Sequence, residues 1–196
     1  MLMNHIEQNK IIKENFLNQK AKVIWFTGLP CSGKTTLARH FENKLLENNI
    51  ISVVIDGDIV RTGLNKDLGF SANSRFENIR RIAEVSKILI ENGIIVIVSL
   101  VSPTTELRNM AKEIIGENDF LEVFVNAPLK VCETRDVKGM YKKARQGIIK
   151  EFTGIDSTYE IPQNPFLEIL TAEFSIEESS YLLIETILPL LKSNVE

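Results

Sequence analysis

One run near the N-terminus constrains the fold of this chain more than any other, Gly28-Leu29-Pro30-Cys31-Ser32-Gly33-Lys34-Thr35-Thr36. It matches the pattern G-x-x-x-x-G-K-[ST] at every fixed position. An apolar run over 23–27 precedes it, and an amphipathic run over 36–47 follows it. A strand, a tight glycine turn and a helix in this order place backbone N–H groups and the positive helix end around a phosphate. We therefore predict a phosphate-binding loop, in which Lys34 reaches the β- and γ-phosphates and Thr35 offers its hydroxyl to Mg²⁺.

Length and composition limit what can surround this loop. The 196 residues suffice for one α/β domain, and with 44% apolar residues, 25% charged residues and a net charge of -3 they offer no basic surface for nucleic acid. No run has the roughly 18 apolar residues of a membrane span, and the N-terminus lacks the apolar segment of a signal peptide. The two cysteines, Cys31 and Cys132, make neither a disulfide framework nor a cysteine-rich metal site. We expect a soluble, cytoplasmic protein in which phosphate binding is confined to the loop.

Apolar periodicity predicts an alternation of strands and helices. Strands are predicted over 23–27, 51–55, 94–100, 121–125 and 166–170, and helices over 3–19, 36–47, 74–92, 103–116, 128–135 and 176–191. The first helix is interpreted as a packing arm whose apolar side carries Ile6, Ile11, Ile12 and Phe16. The nearly continuous apolar run 94–100 is the candidate for the sheet centre. The predicted fold class is α/β, a three-layer P-loop NTPase fold with a mainly parallel five-stranded sheet between helices.

The segment 136–160 differs from the predicted core. It is polar, rich in Lys, Arg and Gly, and weakly apolar, which indicates a small mobile lid over a site. We therefore divide the chain into an N-terminal helical arm, 1–20, and a P-loop domain, 21–196, with its lid at about 136–160.

Two carboxylates follow the second predicted strand, in Asp56-Gly57-Asp58. Asp-Gly is a common turn dipeptide, but open α/β sheets bind their ligands at the carboxyl ends of the strands. With the phosphate-binding loop upstream, we interpret both carboxylates as functional.

Further short runs narrow the function, since phosphate-binding loops serve ATPases, GTPases and many small-molecule kinases. They are, in order, residues 25–36, 56–58 with 60–61 and 63–64, 67–71, 77–81 with 84–85, 102–103, 122–125, 132–133, 135–136 with 138–139, 141–145, 152–156 and 159–160. These runs resemble the adenylylsulfate kinase (APS kinase) family, which phosphorylates the 3′-hydroxyl of adenosine 5′-phosphosulfate to make PAPS. The resemblance spans about residues 16–170.

The resemblance implies an ATP- and Mg²⁺-dependent kinase domain, residues 21–196, with two substrate sites. The implied ATP-binding residues are Gly28, Leu29, Pro30, Cys31, Ser32, Gly33, Lys34, Thr35, Thr36 and Arg135. The implied catalytic residues are Lys34, Asp56, Asp58, Lys138 and Arg145, where Asp58 accepts or orients the proton of the 3′-hydroxyl and the two cations stabilise the transferred charge. Thr35 and Asp56, the latter through water, are the implied Mg²⁺ site. The implied partner is a small-molecule nucleotide that accepts the phosphoryl group. Because the family commonly forms dimers, a homodimer also stays open.

The resemblance also implies a set of acceptor contacts. They are Asp58, Arg61, Phe70, Arg75, Asn78, Val101, Ser102, Lys138 and Phe152. Phe70 and Phe152 would stack on the two faces of the nucleobase, although either could instead be a core residue. Arg61, Arg75 and Asn78 would hold the phosphate-linked end, to which the planar guanidinium group is suited. Ser102 occupies the position described in the family as a phosphoserine intermediate, and we interpret it as a substrate contact because in-line transfer needs no covalent relay.

Three positions near the expected acceptor site depart from the usual family residues. Ile59 stands where Asn is usual, Ser74 where Asp is usual, and Thr104 where an aromatic residue is usual. Losing a polar side chain from a site that hydrogen-bonds its substrate can change specificity strongly. Three hypotheses therefore stay open: an APS kinase, the same 3′-kinase reaction on another nucleotide such as cytidine diphosphoramidate in capsule biosynthesis, and a catalytically inactive nucleotide-binding regulator. The predicted elements occupy the chain, so we expect no sulfurylase domain beside them.

Overall fold

The computed structural model describes residues 2–193, with side chains from residue 5 onwards. The helices are Leu2–Leu17 (α1), Lys34–Glu47 (α2), Gly57–Val60 (α3), Ala72–Ile90 (α4), Thr105–Ile115 (α5), Leu129–Arg135 (α6), Met140–Arg145 (α7) and Ile176–Leu191 (α8). The strands are Val23–Thr27 (β1), Ser52–Asp56 (β2), Ile95–Ser99 (β3), Phe120–Asn126 (β4) and Leu167–Leu170 (β5), with a short 3-10 helix at Glu117–Asp119. Every predicted strand and helix is present, and the sequence missed α3, α7 and the 3-10 helix.

The five strands form one parallel sheet in the order β2-β3-β1-β4-β5. Its centre is therefore β1, and the expectation that residues 94–100 lie there is wrong. Both β1 and β3 are buried at every position, because each is covered on both faces. A continuous apolar run indicates that both faces of a strand are covered, but it does not indicate which strands are its neighbours. The sequence pattern therefore could not decide whether β1 or β3 is the central strand.

Helices cover both faces of the sheet and bury a core on each. On one side, α2 and α8 pack Phe41, Leu45 and Leu183 against the strands, and on the other side α4 and α5 cover Trp25 and Val96. Amphipathic helices on both faces of a parallel sheet make a three-layer α/β fold, as the sequence predicts. The fold brings the carboxyl ends of all five strands to one edge, where open α/β sheets bind ligands.

The helix α1 contacts the domain through polar side chains, which reverses the expected orientation. The Glu14 carboxylate accepts a hydrogen bond from the Ala21 backbone N–H at 2.9 Å, and Lys10 Nζ donates to the Asp119 carboxylate at 2.6 Å. The predicted apolar side is exposed, with Phe16 87% exposed. The expectation that these apolar residues pack is wrong, because the side of the helix that carries Lys10 and Glu14 makes the contacts to the domain.

The segment 136–160 contains a small core, which its polar composition did not predict. Tyr141 and Ala144 on α7 and Phe152 after it pack with Cys132 into a cluster next to the phosphate-binding loop. The lid therefore has fixed internal contacts in this structure. No helix described between residues 2 and 193 is long and apolar enough to cross a membrane.

Candidate active site

The phosphate-binding loop joins β1 to α2 at the carboxyl edge of the sheet, as the sequence predicts. At Gly28 a Cβ would lie 2.4 Å from the Val125 carbonyl oxygen, so only glycine fits there. Gly33, with φ 105°, precedes the first turn of α2 and directs its free N–H groups into the loop. The loop thus presents unpaired backbone donors at a helix N-terminus, which is a site for phosphate.

Lys34 is the buried cation of this loop. Its Nζ donates to the carbonyl oxygens of Gly28 at 2.9 Å and Leu29 at 2.7 Å. Burial lowers the pKa of the Lys34 ammonium to about 8, with the nearby thiols and carboxylates opposing the shift. The loop therefore holds its lysine folded back on its own carbonyls, ready for a stronger acceptor.

Three side-chain oxygen groups meet beside Lys34, one at the start of α2 and the others at the ends of β2 and β3. Thr35 Oγ1 donates to Asp56 Oδ2 at 2.7 Å and lies 3.3 Å from Ser99 Oγ. The other oxygen of Asp56 accepts from the backbone N–H of Asp58 at 2.9 Å, which fixes the carboxylate as the cap of α3. One hydroxyl and one fixed carboxylate fit Mg²⁺, which takes few protein ligands and completes its shell with phosphate oxygens and water.

A single cavity of about 960 Å³ runs from the loop to the segment 136–160. Of the residues predicted for the site, it is lined by Pro30, Cys31, Gly33, Lys34, Thr35, Thr36, Asp56, Asp58, Arg61, Phe70, Arg75, Asn78, Val101, Ser102, Arg135, Lys138 and Phe152. Gly28, Leu29, Ser32 and Arg145 are not in its wall. The first three belong to the phosphate-binding loop itself, and Leu29 lines a separate pocket beside it.

Arg145 does not reach the cavity. Its Nε donates to the Glu133 carboxylate at 2.9 Å on the outer side of α7. The structure therefore does not bring Arg145 together with the other predicted catalytic residues, because its guanidinium group is paired with Glu133 on α6. Lys138, in contrast, pairs with the Asp58 carboxylate inside the cavity.

The two predicted aromatic residues lie in the same cavity wall but in different surroundings. Phe70 is 58% exposed, and the Arg61 guanidinium lies 4.4 Å from its ring centroid. Phe152 is only 9% exposed and packs edge-on against Tyr141, with ring centroids 4.9 Å apart. Phe152 is thus both a wall of the cavity and a core residue of the segment, two interpretations that the sequence treated as alternatives.

Arg75 joins the two aromatic residues. Its Nε donates to the Phe70 carbonyl at 2.8 Å, its Nη1 donates to Thr153 Oγ1 at 2.8 Å, and its Nη2 donates to the Glu151 carbonyl. Partial burial lowers the pKa of Arg75 from its ordinary value. Arg75 therefore holds the α4 end of the cavity against the loop that carries Phe152.

Two further polar residues face the acceptor half from buried positions. Asn78 Oδ1 accepts a hydrogen bond from Asn65 Nδ2 at 3.0 Å, which orients its amide. Ser102 is 2% exposed, and its Oγ accepts from Trp25 Nε1 at 3.1 Å. The Ser102 hydroxyl is thereby held against the core.

Sequence reasoning missed Thr171 and Phe174 in the donor half of the wall. Arg135 Nη2 donates to the Thr171 carbonyl at 2.5 Å, and its Nη1 donates to the Ser32 carbonyl at 3.2 Å. Thr171 follows the last residue of β5, so the rule that ligands bind after parallel strands could have found it. Phe174 carries no such signal.

The parallel sheet, the phosphate-binding loop and the cavity that extends from it define a protein of the P-loop NTPase fold, and comparison with known proteins identifies the class as a kinase. The adenylylsulphate kinase family matches residues 20–170. The chain is 51% identical over 177 residues to adenylyl-sulfate kinase from Bacteroides thetaiotaomicron, covering 90% of this chain and 88% of the relative. It is 54% identical over 168 residues to the Halothermothrix orenii enzyme of the same name, covering 86% of this chain and 90% of that one.

Solved structures show the same relationship. The Mycobacterium tuberculosis APS kinase in complex with AMPPNP and APS superposes with a TM-score of 0.83 at 46% identity, over 86% of this chain and 98% of that one. The chain therefore belongs to the adenylylsulphate kinase family of nucleotide 3′-kinases.

Proposed function

We propose that the protein transfers the γ-phosphoryl group of ATP to the 3′-hydroxyl of adenosine 5′-phosphosulfate, forming PAPS. The observation that carries the proposal is the single cavity that joins Lys34 and Thr35 to the aromatic pair Phe70 and Phe152, with Asp58 between them. The M. tuberculosis relative binds an ATP analogue and APS together, and its fold covers most of this chain.

In the donor half, the loop N–H groups and Lys34 bind the ATP phosphates. The ammonium exchanges the Gly28 and Leu29 carbonyls for phosphate oxygens, which bind a cation more strongly. Thr35 would supply its hydroxyl to Mg²⁺, and Asp56 would hold the ion through water. The ion would neutralise charge on the transferred phosphoryl group. Arg135 and Thr171 line the rest of the ATP site.

In the acceptor half, Phe70 and Phe152 stack on the nucleobase, which contributes about 1 to 3 kcal/mol per stacked base. Arg61, Arg75 and Asn78 contact the phosphate-linked end, for which guanidinium groups are suited.

The reacting groups meet between the two halves. Asp58 orients the 3′-hydroxyl or accepts its proton, and Lys138 releases Asp58 to stabilise charge on the phosphoryl group. Val101 and Ser102 line the acceptor half mainly through their backbone.

The same proposal extends to the organisation of the chain. Residues 21–196 form the kinase domain, residues 136–160 its cover and residues 1–20 an arm, with sulfate assimilation in the cytoplasm as the setting. A homodimer is part of this proposal. The APS kinase of Thiobacillus denitrificans is hexameric, so assembly of subunits occurs among the relatives.

An ATP-consumption assay against a panel of 5′-modified nucleotides tests the proposal. The panel contains APS, AMP and cytidine diphosphate derivatives including the diphosphoramidate, and each product is analysed for a 3′-phosphate. Turnover with APS and no other acceptor supports the proposal. A preference for the cytidine compound identifies the same reaction on another acceptor, and Ile59→Asn is then the variant that should move the preference toward APS. If no compound of the panel stimulates ATP consumption, the protein is the nucleotide-binding regulator without turnover.

A further inference from the structure

The connection from β3 to α5 forms a strained part of the acceptor wall. Val101, Ser102 and Pro103 line the cavity, and Ser102 adopts a positive φ of 38°, which is unfavourable for a residue other than glycine. Such a conformation persists only where the surroundings hold it. The contacts that hold this turn therefore decide the shape of the acceptor half.

Buried groups hold the turn from the core side. Arg108 Nη1 donates to the Ser102 carbonyl at 3.0 Å, and Arg108 Nε pairs with Glu122 at 2.7 Å. Thr27 Oγ1 donates to the Val101 carbonyl at 2.8 Å. These contacts use one side of the turn and leave the backbone groups of Pro103 and Thr105 to another partner.

That partner is Glu160, at the end of the segment 136–160. The Glu160 backbone N–H donates to the Pro103 carbonyl at 2.8 Å, and the Glu160 carboxylate accepts from the Thr105 N–H at 2.7 Å. The carboxylate thereby satisfies the N–H of the first residue of α5, beside the Thr104 side chain that caps the Leu107 N–H. Negative charge is favoured at this helix end, and the contact lowers the pKa of Glu160.

Tyr159 attaches the same segment to the strand before the phosphate-binding loop. The single Thr27 hydroxyl proton is donated to the Val101 carbonyl, so the Tyr159 hydroxyl is the donor in its 3.0 Å contact with Thr27 Oγ1. The Tyr159 ring stacks on Phe124 with centroids 6.1 Å apart. Burial raises the pKa of Tyr159 to about 12, so the hydroxyl remains a donor at neutral pH. Tyr159 and Glu160 together bind the segment to the end of β1 and to the connection between β3 and α5.

The segment held in this way is the one that carries Phe152. Between Phe152 and Ser157 the chain forms a tight loop in which the Ser157 N–H donates to the Phe152 carbonyl at 3.2 Å. The Asp156 carboxylate accepts from the N–H groups of Glu151 at 2.8 Å and Phe152 at 2.5 Å. This closed loop transmits the position of Tyr159 and Glu160 to the aromatic wall.

We propose that Tyr159 and Glu160 are positioning residues for the acceptor nucleotide. Neither lines the cavity, and together they set the distance between the Phe152 wall and the Ser102 turn. The effect on substrate rests on the proposed function, whereas the effect on the turn does not. Loss of the Glu160 carboxylate lets the turn and the wall separate, which weakens acceptor binding and leaves the donor half in place.

Steady-state kinetics test the effect on substrate. For Glu160→Ala we expect the KM for the acceptor to rise about tenfold, as for loss of a charged hydrogen bond, while the KM for ATP changes less than about twofold. Glu160→Gln keeps an acceptor oxygen for the Thr105 N–H and recovers most of the loss. Tyr159→Phe keeps the stacking and loses the bond to Thr27, so it has a smaller effect in the same direction. Equal changes in both KM values, or none, overturn the proposal.

Trp25 provides a second measurement that needs no turnover. It is the only tryptophan of the chain, and its indole N–H donates to the Ser102 hydroxyl, so its fluorescence reports the turn in the free enzyme. We expect an altered Trp25 emission in Glu160→Ala and a normal one in Glu160→Gln. The matched control is Glu117→Ala, which removes an exposed carboxylate paired with Lys112 near the other end of α5 and should change neither emission nor KM.

The two measurements separate the two hypotheses. If the wild-type protein phosphorylates no acceptor, the proposed function fails, and the emission of Glu160→Ala still decides whether Glu160 holds the Ser102 turn. If the wild-type protein turns over and Glu160→Ala leaves the acceptor KM unchanged, the positioning role for the substrate is wrong, whatever the Trp25 emission.

Discussion

The Lys138 ammonium pairs with the Asp58 carboxylate across the middle of the cavity, 80 positions apart in the chain. Both side chains are largely exposed, so the pair contributes little to stability, at most about 1 kcal/mol. The pair instead fixes a position, because it brings the start of the segment 136–160 to α3, directly after β2. The hydrogen bond also raises the pKa of Lys138 and keeps it charged.

We predict that Lys138→Ala lowers kcat by about 10²-fold, because the variant removes a cation from the place where phosphoryl charge develops. The matched control is Arg145→Ala, which removes a cation of the same segment that pairs with Glu133 outside the cavity. It should change kcat by less than about twofold, as expected for an exposed charge. Kinetics with saturating ATP and acceptor compare the two.

Thermal unfolding separates chemistry from folding in this pair of variants. Both should keep the wild-type melting temperature, since exposed ion pairs contribute little. A larger loss of kcat in Arg145→Ala than in Lys138→Ala would show that Arg145 reaches the substrates, as the sequence suggested.

The pH dependence of ATP binding should report Lys34. Burial lowers its pKa to about 8 in the free protein, and phosphate binds only the charged form. ATP affinity should therefore be constant at lower pH and fall as the pH rises through about 8, by up to tenfold per unit. Titrations of ATP at several pH values, read by calorimetry, measure this.

Lys34→Arg is the control for this prediction, because the guanidinium stays charged throughout the range. Its ATP affinity differs from that of wild type but should stay flat across the same pH values. A fall of equal size in the variant would assign the pH dependence to another group. Lys34→Ala should remove nearly all phosphoryl transfer with the fold intact.

The sequence predicted the parts of this protein that are encoded locally. The phosphate-binding loop needs Gly28 and Gly33 at fixed spacing between a strand and a helix, so pattern and structure agree there. The five strands and the three-layer fold follow from apolar runs of the expected lengths.

Contacts between side chains that are distant in the sequence could not be predicted from local sequence patterns. The orientation of α1 depends on where Glu14 meets Ala21, and Arg145 turns outward because Glu133 on another helix lies beside it. Composition also misjudged the segment 136–160, whose few apolar side chains, Tyr141 among them, are concentrated in one cluster.

Phe152 and Phe70 should respond differently to truncation, since only Phe152 belongs to a core. Phe70→Ala should raise the acceptor KM, by about tenfold for one lost stacking contact, with unchanged thermal stability. Phe152→Ala should raise the acceptor KM at least as much and also destabilise its cluster, where truncation of a buried Phe costs about 3 to 5 kcal/mol. Acceptor kinetics and thermal unfolding of both variants measure the difference.

Phe152→Leu serves as the control, because it keeps much of the buried volume and removes the aromatic ring. It should restore most of the stability without restoring the acceptor KM. A variant that recovers both would identify Phe152 as a core residue only, and a loss of ATP affinity in place of acceptor affinity would contradict the stacking assignment.

Ser102 should not carry a phosphoryl group during turnover. Its hydroxyl is 2% exposed and accepts from the Trp25 indole, so an added phosphate would have to break that contact and enter the core. We predict that Ser102→Ala keeps kcat within about tenfold of wild type, the loss of one neutral hydrogen bond being worth about 1 kcal/mol. Incubation with γ-labelled ATP should label the acceptor and leave the wild-type protein unlabelled. A labelled Ser102 that chases into product would establish a covalent relay and require the turn after β3 to open in each cycle.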